Sequence, residues 1–364
     1  MVRMKMGLAS REDDYAIREC LRNNEMPGQI SIAFETEPSY FDALSVQGSE
    51  SQVMVGRSDE GEIMGFGTRS FKSAYVNGKV IDIGYLGGLR VRPEFRNGIG
   101  LVKAYRYLRE LNDDGRVPFY LTTIIEDNFE ARHFLESGKM GLPNYHQLDV
   151  LSTFMIKPRK KEPEGLIEIV GGDSFDIEEI LEFVNDEGSN KQFSPHYDIS
   201  DFKGDRFRGL SQSDFYVAVD GGEIMGTLAR WDQESFKQTR IVGYDAKLSF
   251  ARPFINAISR FSNIPNLPPV GNIINYSYLA FPTVKGNDPV VLKELLSSVL
   301  SDPEHSGYDY FSIGLTESDP LSTAVKPFSP REYRAILYVV AYDKKLSELN
   351  FDPYRVHYLE LATL

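Results

Sequence analysis

The stretch from Tyr85 to Leu101, YLGGLRVRPEFRNGIGL, decides how this sequence is read. Its first part is strand-like. Gly87-Gly88 inside a strand predicts a bulge or a close backbone approach, because two glycines forfeit side-chain packing there. Pro93 cannot donate to a sheet ladder and ends the strand. Arg96-Asn97-Gly98-Ile99-Gly100 then opens a helix with an apolar face of Leu101, Val102, Tyr105 and Leu108. Glycines at a helix start let unpaired N–H groups converge on an anion, so the segment outlines a pyrophosphate cradle. Seven Lys or Arg against four Asp or Glu between Arg90 and Arg116 reinforce it. The dinucleotide fingerprint would need a third glycine, and a P-loop would need Gly-Lys-Ser/Thr. Neither is present.

Upstream, Phe66–Val76 and Lys79–Arg92 flank Asn77-Gly78, a hairpin turn that requires positive φ at both central residues. Downstream come a strand (Phe119–Ile125), a helix (Asn128–Ser137) and a strand (Val150–Ile156). Ser10 and Asp13 form a capping-box pattern ahead of Ile17, Cys20 and Leu21.

The order recurs. Gly61-Glu62-Ile63-Met64-Gly65 returns as Gly222-Glu223-Ile224-Met225-Gly226, with Arg69 and Arg230 four residues on. A second helix is capped by Asp173 or Ser174 and carries Ile177, Ile180, Leu181 and Val184. Strands follow near Asn272–Phe281, Tyr308–Leu315 and Tyr333–Tyr342, with a helix at Pro289–Leu300. Duplication explains this order better than chance does. The charged, proline-bearing run 157–164 reads as a linker between domains 1–156 and 165–364, the second carrying an insertion at 244–271 placed to cover the groove between them. The fold class is α/β (α+β): mixed, mostly antiparallel sheets flanked by helices.

Composition narrows the function. The net charge of −13 disfavours a nucleic-acid partner, which needs a surplus of Lys and Arg. One cysteine excludes a disulfide scaffold, and five scattered histidines give no metal spacing. No apolar run is long enough to span a membrane, and Met1–Ala9 lacks a signal-peptide core, so a cytoplasmic protein without a metal is expected.

Leu89-x-Val91-x-Pro93-x-x-Arg96 followed by Gly98-x-Gly100 resembles motif A of the GCN5-related N-acetyltransferases (GNATs). Asn128-x-x-Ala131-x-x-Phe134-Leu135-Glu136-Ser137-Gly138 resembles that family's motif B helix. The second half resembles a degenerate copy, because Pro282 to Asp288 lacks the glycine pair. The resemblance implies tandem GNAT domains with splayed sheets. It also implies acetyl-CoA as co-substrate and a small-molecule or peptide amine as acceptor. Pantetheine would pair with Leu89 and Val91, pyrophosphate would sit on amides of Arg96, Asn97, Gly98, Ile99, Gly100 and Leu101, and Asn128 and Ala131 would border the pantetheine. Two departures stand out: only Asn97 separates Arg96 from Gly98, and Leu135 occupies the position of a frequent tyrosine acid. Tyr85, Tyr120 and Tyr145 are its candidate replacements.

Asp82, in alternation with Val80, Gly84 and Leu86, is a candidate half-buried base. Glu35 and Glu37 are placed to attract a cationic amine. His133 and His146 read as surface residues and Trp231 as core. The apolar ending Val356–Leu364 predicts a packed closing strand. In the resembling N-myristoyltransferases a terminal carboxylate acts as base, which makes Leu364 a second catalytic candidate. A non-catalytic coenzyme-A-binding or scaffold protein, and an aminoacyl- or acyltransferase of peptidoglycan-bridge type, remain the alternatives. The oligomeric state stays open.

Overall fold

The structure is a computed structural model that describes residues 4–26, 28–95, 99–159, 164–259, 267–342 and 346–364. Its first half contributes β1 (Lys5–Leu8), β2 (Ile30–Glu35), β3 (Glu50–Arg57), β4 (Ile63–Val76), β5 (Lys79–Val91), β6 (Tyr120–Ile125) and β7 (Asn144–Ile156). The second half contributes β8 (Glu168–Gly171), β9 (Phe215–Asp220), β10 (Glu223–Trp231), β11 (Gln238–Tyr244), β12 (Tyr276–Val284), β13 (Tyr310–Thr316) and β14 (Arg331–Ala341). Twelve of them form one sheet, in the order β1-β3-β4-β5-β6-β14-β7-β13-β12-β10-β9-β8. Apart from β2, β11, helix Ala246–Ser259 and short helical turns, each half runs strand, helix, hairpin, strand, helix, strand, helix, strand, so the duplication is a structural one. Its copies are not separate sheets: the last strand of each half is exchanged, β14 pairing with β6 and β7 with β13.

Local chemistry sets the elements. Asn77 (φ 53) and Gly78 (φ 77) make the expected turn between β4 and β5, and Gly61 and Gly222 turn the two repeated hairpins with φ 88 each. Ser10 and Asp13 form the reciprocal cap before helix Asp14–Arg22. In the second half the cap is Asp176 with Glu179, because Gly172–Ser174 is itself a 3-10 turn and helix Ile177–Gly188 starts later than Asp173 or Ser174 implied. Helix Pro289–Ser301 buries Val291, Leu292, Leu295, Leu296, Val299 and Leu300 against β9, β10 and β12. Each such leucine contributes on the order of 1.5–3 kcal/mol by leaving water. The repeated arginines are struts, Arg69 buried and Arg230 half-buried: Arg69 reaches Asp114 at 2.6 Å and the Tyr120 hydroxyl at 3.1 Å, and Arg230 pairs with Asp214 and with Tyr308 at 2.9 Å.

β11, at the edge of the insertion, pairs antiparallel with β2 as a two-stranded ribbon joining the halves. Glu35 on β2 grips Arg240 on β11 bidentately at 2.7 and 2.8 Å. Residues 260–266 of the insertion and 160–163 of the linker lie outside the described residues. The ending 356–364 is packed as expected, but it is no strand: an extended run closes in the 3-10 turn Leu361–Thr363, with Leu359, Glu360 and Ala362 buried. No helix among the described residues is long and apolar enough to cross a membrane.

Candidate active site

β5 and β6 run parallel but pair only at Gly84–Tyr120 and Tyr85–Leu121. The Thr122 hydroxyl then donates to the Leu86 carbonyl at 2.7 Å, and past that bond the strands part. On its other side β5 bulges against β4: Phe66 pairs with Arg90 and Thr68 with Gly87, so Gly88 and Leu89 oppose one residue. Gly88 sits at φ 65, and a Cβ there would lie 2.8 Å from the Tyr40 hydroxyl and 3.1 Å from Thr68 Oγ1. Those two hydroxyls bond each other at 2.8 Å, and burial pushes the Tyr40 phenol up to about 12. The sequence signal of Gly87-Gly88 thus marks a left-handed bulge that bends β5 away from β6.

The described residues among those expected to meet the coenzyme lie on the elements that flank the gap. Leu89 is exposed, its carbonyl taking a hydrogen bond from Arg90 Nη1 at 2.9 Å. Val91 ends the strand, and Pro93–Phe95 forms a 3-10 turn. Arg96, Asn97 and Gly98 lie outside the described residues. Helix Ile99–Asn112 begins directly after them. Gly100 is buried in its first turn, where a Cβ would meet Met4 at 2.8 Å, and Leu101 packs into the core beneath. Across the gap Asn128 caps helix Phe129–Glu136, its side-chain oxygen accepting from Ala131 N at 3.2 Å.

The catalytic candidates fare differently. Asp82 is exposed and accepts from Ser73 Oγ at 2.8 Å, so the half-buried base expected there is not found. Strand alternation is right, but its face of β5 at that level meets solvent. Tyr120 and Tyr145 are committed on the helix side, to Arg69 and to Tyr105. Tyr85 belongs to the opposite face, in the last pair before the gap, and its hydroxyl reaches Thr123 at 3.0 Å across it. Burial holds that phenol above its ordinary value.

Lys72 is the residue sequence reasoning missed. It lies on β4 opposite Ile83, 3% exposed, with Nζ 5.2 Å from the centre of the Tyr85 ring. Among the described residues no hydrogen bond or ion pair reaches Nζ. Burial, with Arg206 and Lys237 adding repulsion and Glu360 opposing them, brings its pKa down to about 7. Lys237, brought down to about 8 by burial, donates to a terminal carboxylate oxygen of Leu364 at 2.9 Å. Leu364 packs against the hydrophobic cluster to which Ile83 and Tyr85 belong. A lysine inside a fourteen-residue strand buried on both faces was the available signal.

The second half has the matching geometry and a different content. β12 and β13 pair from Tyr276–Tyr310 to Tyr278–Ser312 and then part. Phe281, at φ 54, takes the bulge position that Gly88 holds in the first half. Here the chain's own ending fills the gap. Glu360, 1% exposed, accepts from the Phe281 N–H at 2.8 Å, the Ala362 N–H at 3.1 Å and the Tyr358 hydroxyl at 2.7 Å. Leu361 covers Gly314, where a Cβ would lie 2.6 Å from it.

No family model matches the sequence, and no curated protein matches it. Solved structures do. The N-myristoyltransferase of Saccharomyces cerevisiae with bound myristoyl-CoA superposes with a TM-score of 0.59 at 12% identity, over 97% of this chain and 84% of that one. A GCN5-related N-acetyltransferase from Sphaerobacter thermophilus gives 0.55 at 12%, over 92% and 95%. A probable N-acyltransferase from Enterococcus faecalis V583 gives 0.51 at 10%, over 94% and 73%. At such identities the likeness is one of fold, and it runs through both halves. With its splayed strands, its paired bulges and its repeated element order, the chain has the GCN5-related N-acetyltransferase fold in tandem.

Proposed function

We propose that the protein is an acyl-CoA-dependent N-acyltransferase whose first half seats the coenzyme and whose second half shapes the acceptor side. The observation that carries this reading is the parting of β5 and β6 beside the Gly88 bulge, where among the described residues nothing takes the part that Glu360 and Leu361 play in the second half. The fold neighbours support it: they include a GCN5-related N-acetyltransferase and an N-myristoyltransferase crystallised with myristoyl-CoA.

The residues at the gap suit the group. Leu89 and Val91 border the place for pantetheine, the amides of Arg96 to Leu101 precede or open a helix where phosphate is favoured, and Asn128 retains its side-chain NH2 for the arm. The bound thioester supplies an activated acyl carbon. The chain must then supply a proton acceptor for the incoming ammonium and a donor for the departing thiolate. Lys72, neutral for a large part of its population near pH 7, takes the first role. Tyr85, kept protonated at the mouth of the gap, takes the second. Leu364 forms part of the acceptor wall. The acceptor is a primary amine on a small molecule or peptide, the acyl group acetyl or longer.

Acetyl-CoA at a hundredfold excess over its dissociation constant should stabilise the protein by about 2.7 kcal/mol, read as a rise in thermal midpoint. Gly98→Glu places bulk and negative charge just before the helix and should abolish the rise. An equal rise in the variant would overturn the phosphate assignment. Thiol release in the presence of primary amines separates an enzyme from a coenzyme-binding scaffold, which would show the shift and no release.

A further inference from the structure

Helix Ala246–Ser259 follows β11 after a single residue, and its two faces are turned the opposite way from those of an ordinary surface helix. Among the described residues three phenylalanines are exposed, and two of them are here: Phe250 at 80% and Phe254 at 65%, one turn apart, with ring centres 6.4 Å from each other. Pro253 is exposed beside them. Lys247, three residues before Phe250, falls on the same stripe and is exposed too.

The polar residues face the protein. Arg252 and Asn256, four apart, occupy the opposite side of the helix. Arg252 Nε donates to the Leu267 carbonyl at 3.0 Å, and its guanidinium lies 5.5 Å from the centre of the Tyr244 ring. Asn256 exchanges two hydrogen bonds with the Leu267 backbone, at 3.0 and 2.7 Å. The hydrogen-bonding side is thus used to anchor the helix, and the aromatic side is left outward.

Charge tells what that side suits. From 246 to 287 the sequence holds no Asp or Glu, although the whole chain has 53. Asp245, just before the helix, accepts from the Leu248 N–H at 2.6 Å, and Glu35 across the ribbon is held by Arg240. At physiological salt, charges beyond about 8 Å are largely screened, so the acidic remainder of the chain does little to a surface touching this face. An anionic surface is the complement of an acid-free aromatic stripe flanked by lysine.

Size separates a bilayer from a protein. The helix has 14 residues and is roughly 21 Å long. One side of it, about 10 Å wide, offers on the order of 200 Å², well short of the roughly 800 Å² per partner in a stable protein interface. A bilayer sets no such minimum, because it takes up aromatic side chains one at a time. At that length the helix lies on a hydrocarbon layer of about 30 Å and does not span it.

We propose that this face docks the protein on an anionic lipid bilayer, with Phe250, Pro253 and Phe254 entering the headgroup layer and Lys247 meeting the headgroups. The inference does not rest on acyl transfer.

Flotation of the full chain with vesicles tests it. Vesicles of phosphatidylcholine and phosphatidylserine in equal parts should carry the protein, and vesicles of phosphatidylcholine alone should carry much less. Phe250→Ser/Phe254→Ser should lower the partition coefficient by about tenfold or more, and Lys247→Glu by about fivefold on the mixed vesicles. Phe254→Trp should shift its emission to the blue on those vesicles, against a constant background from Trp231, which is fully buried. The thermal rise with acetyl-CoA should be the same in every variant, which keeps this result separate from that for the coenzyme. Absence of flotation with the mixed vesicles would overturn the proposal, as would equal flotation of the double variant, equal partition into both vesicles or an unshifted emission. A dimer in sedimentation velocity that the double variant loses would assign the face to a second copy of the chain and overturn it as well.

Discussion

Replacing Lys72 by methionine should make the protein more stable, and by an amount that depends on pH in a defined direction. The side chain is 3% exposed and lacks a hydrogen-bonding or ionic partner among the described residues, so folding must dehydrate an ammonium or discharge it. A lysine titrates near 10.5 when free and at about 7 here. Between those values the unfolded chain binds more protons than the folded one, so stability rises with pH across that window. Above about pH 10.5 the lysine imposes no penalty; below about pH 7 the penalty is complete. At about 1.4 kcal/mol per unit, the separation corresponds to about 4 kcal/mol at pH 7 as an upper bound, since local relaxation and water entry reduce it. Methionine keeps most of the apolar stem over Tyr85 and removes the charge. Urea unfolding of wild type and Lys72→Met at pH 6, 7, 8.5 and 10 measures the difference directly. The variant should gain 2–4 kcal/mol at pH 6–7, with the gain shrinking toward pH 10. Acyl transfer to a primary amine should fall about a hundredfold, the usual scale for a lost proton acceptor. A variant no more stable at pH 6, or a gain independent of pH, would refute the account of Lys72 as an unpaired buried lysine.

Glu360→Ala strands the Phe281 and Ala362 amides and the Tyr358 hydroxyl inside the second half. A loss of about 2–4 kcal/mol is expected, together with faster carboxypeptidase removal of the ending; a loss under about 0.5 kcal/mol would contradict the gap-filling role. Arg240→Ala should weaken the protein by about 1–3 kcal/mol at pH 7, because it breaks a bidentate pair with buried Glu35. Hydrogen bonding to Arg240 holds Glu35 below its ordinary value of 4.5. That stabilisation is full above about pH 4.5 and fades as pH falls through the lowered value, so wild type and variant should converge in acid unfolding curves.

Much of the first half could be read from the chain because its signals are local. Asn77-Gly78 fixes a turn and Pro93 stops a strand. Gly88 supplies a conformation that other residues resist, and none of the three needs distant partners to show itself. The parting of β5 and β6 at the bulge followed from these. Leu364 was also singled out from the ending, but the lysines near it were not, because they come from remote segments: Lys72 from β4 and Lys237 beside β11. Strand periodicity fails on β4, where both faces are covered, and it misplaced Asp82, whose face is covered only farther along. The apolar ending read as a strand because burial, not pairing, selects its residues. Phe281 at positive φ left no trace in composition, since Glu360 holds its amide from outside the local sequence.

The exchange of β7 and β14 bears on how the chain can be made. As the polypeptide leaves the ribosome, β6 has no neighbour on its outer edge until Arg331–Ala341 is synthesised, some two hundred residues later. The first half must wait, with that edge open, through translation of nearly all of the second. Topology of this kind folds slowly and exposes unpaired strands to other chains. Premature termination anywhere before residue 331 would therefore yield no working half, only a sheet with an open edge, and nascent chains should be clients of chaperones that shield such edges.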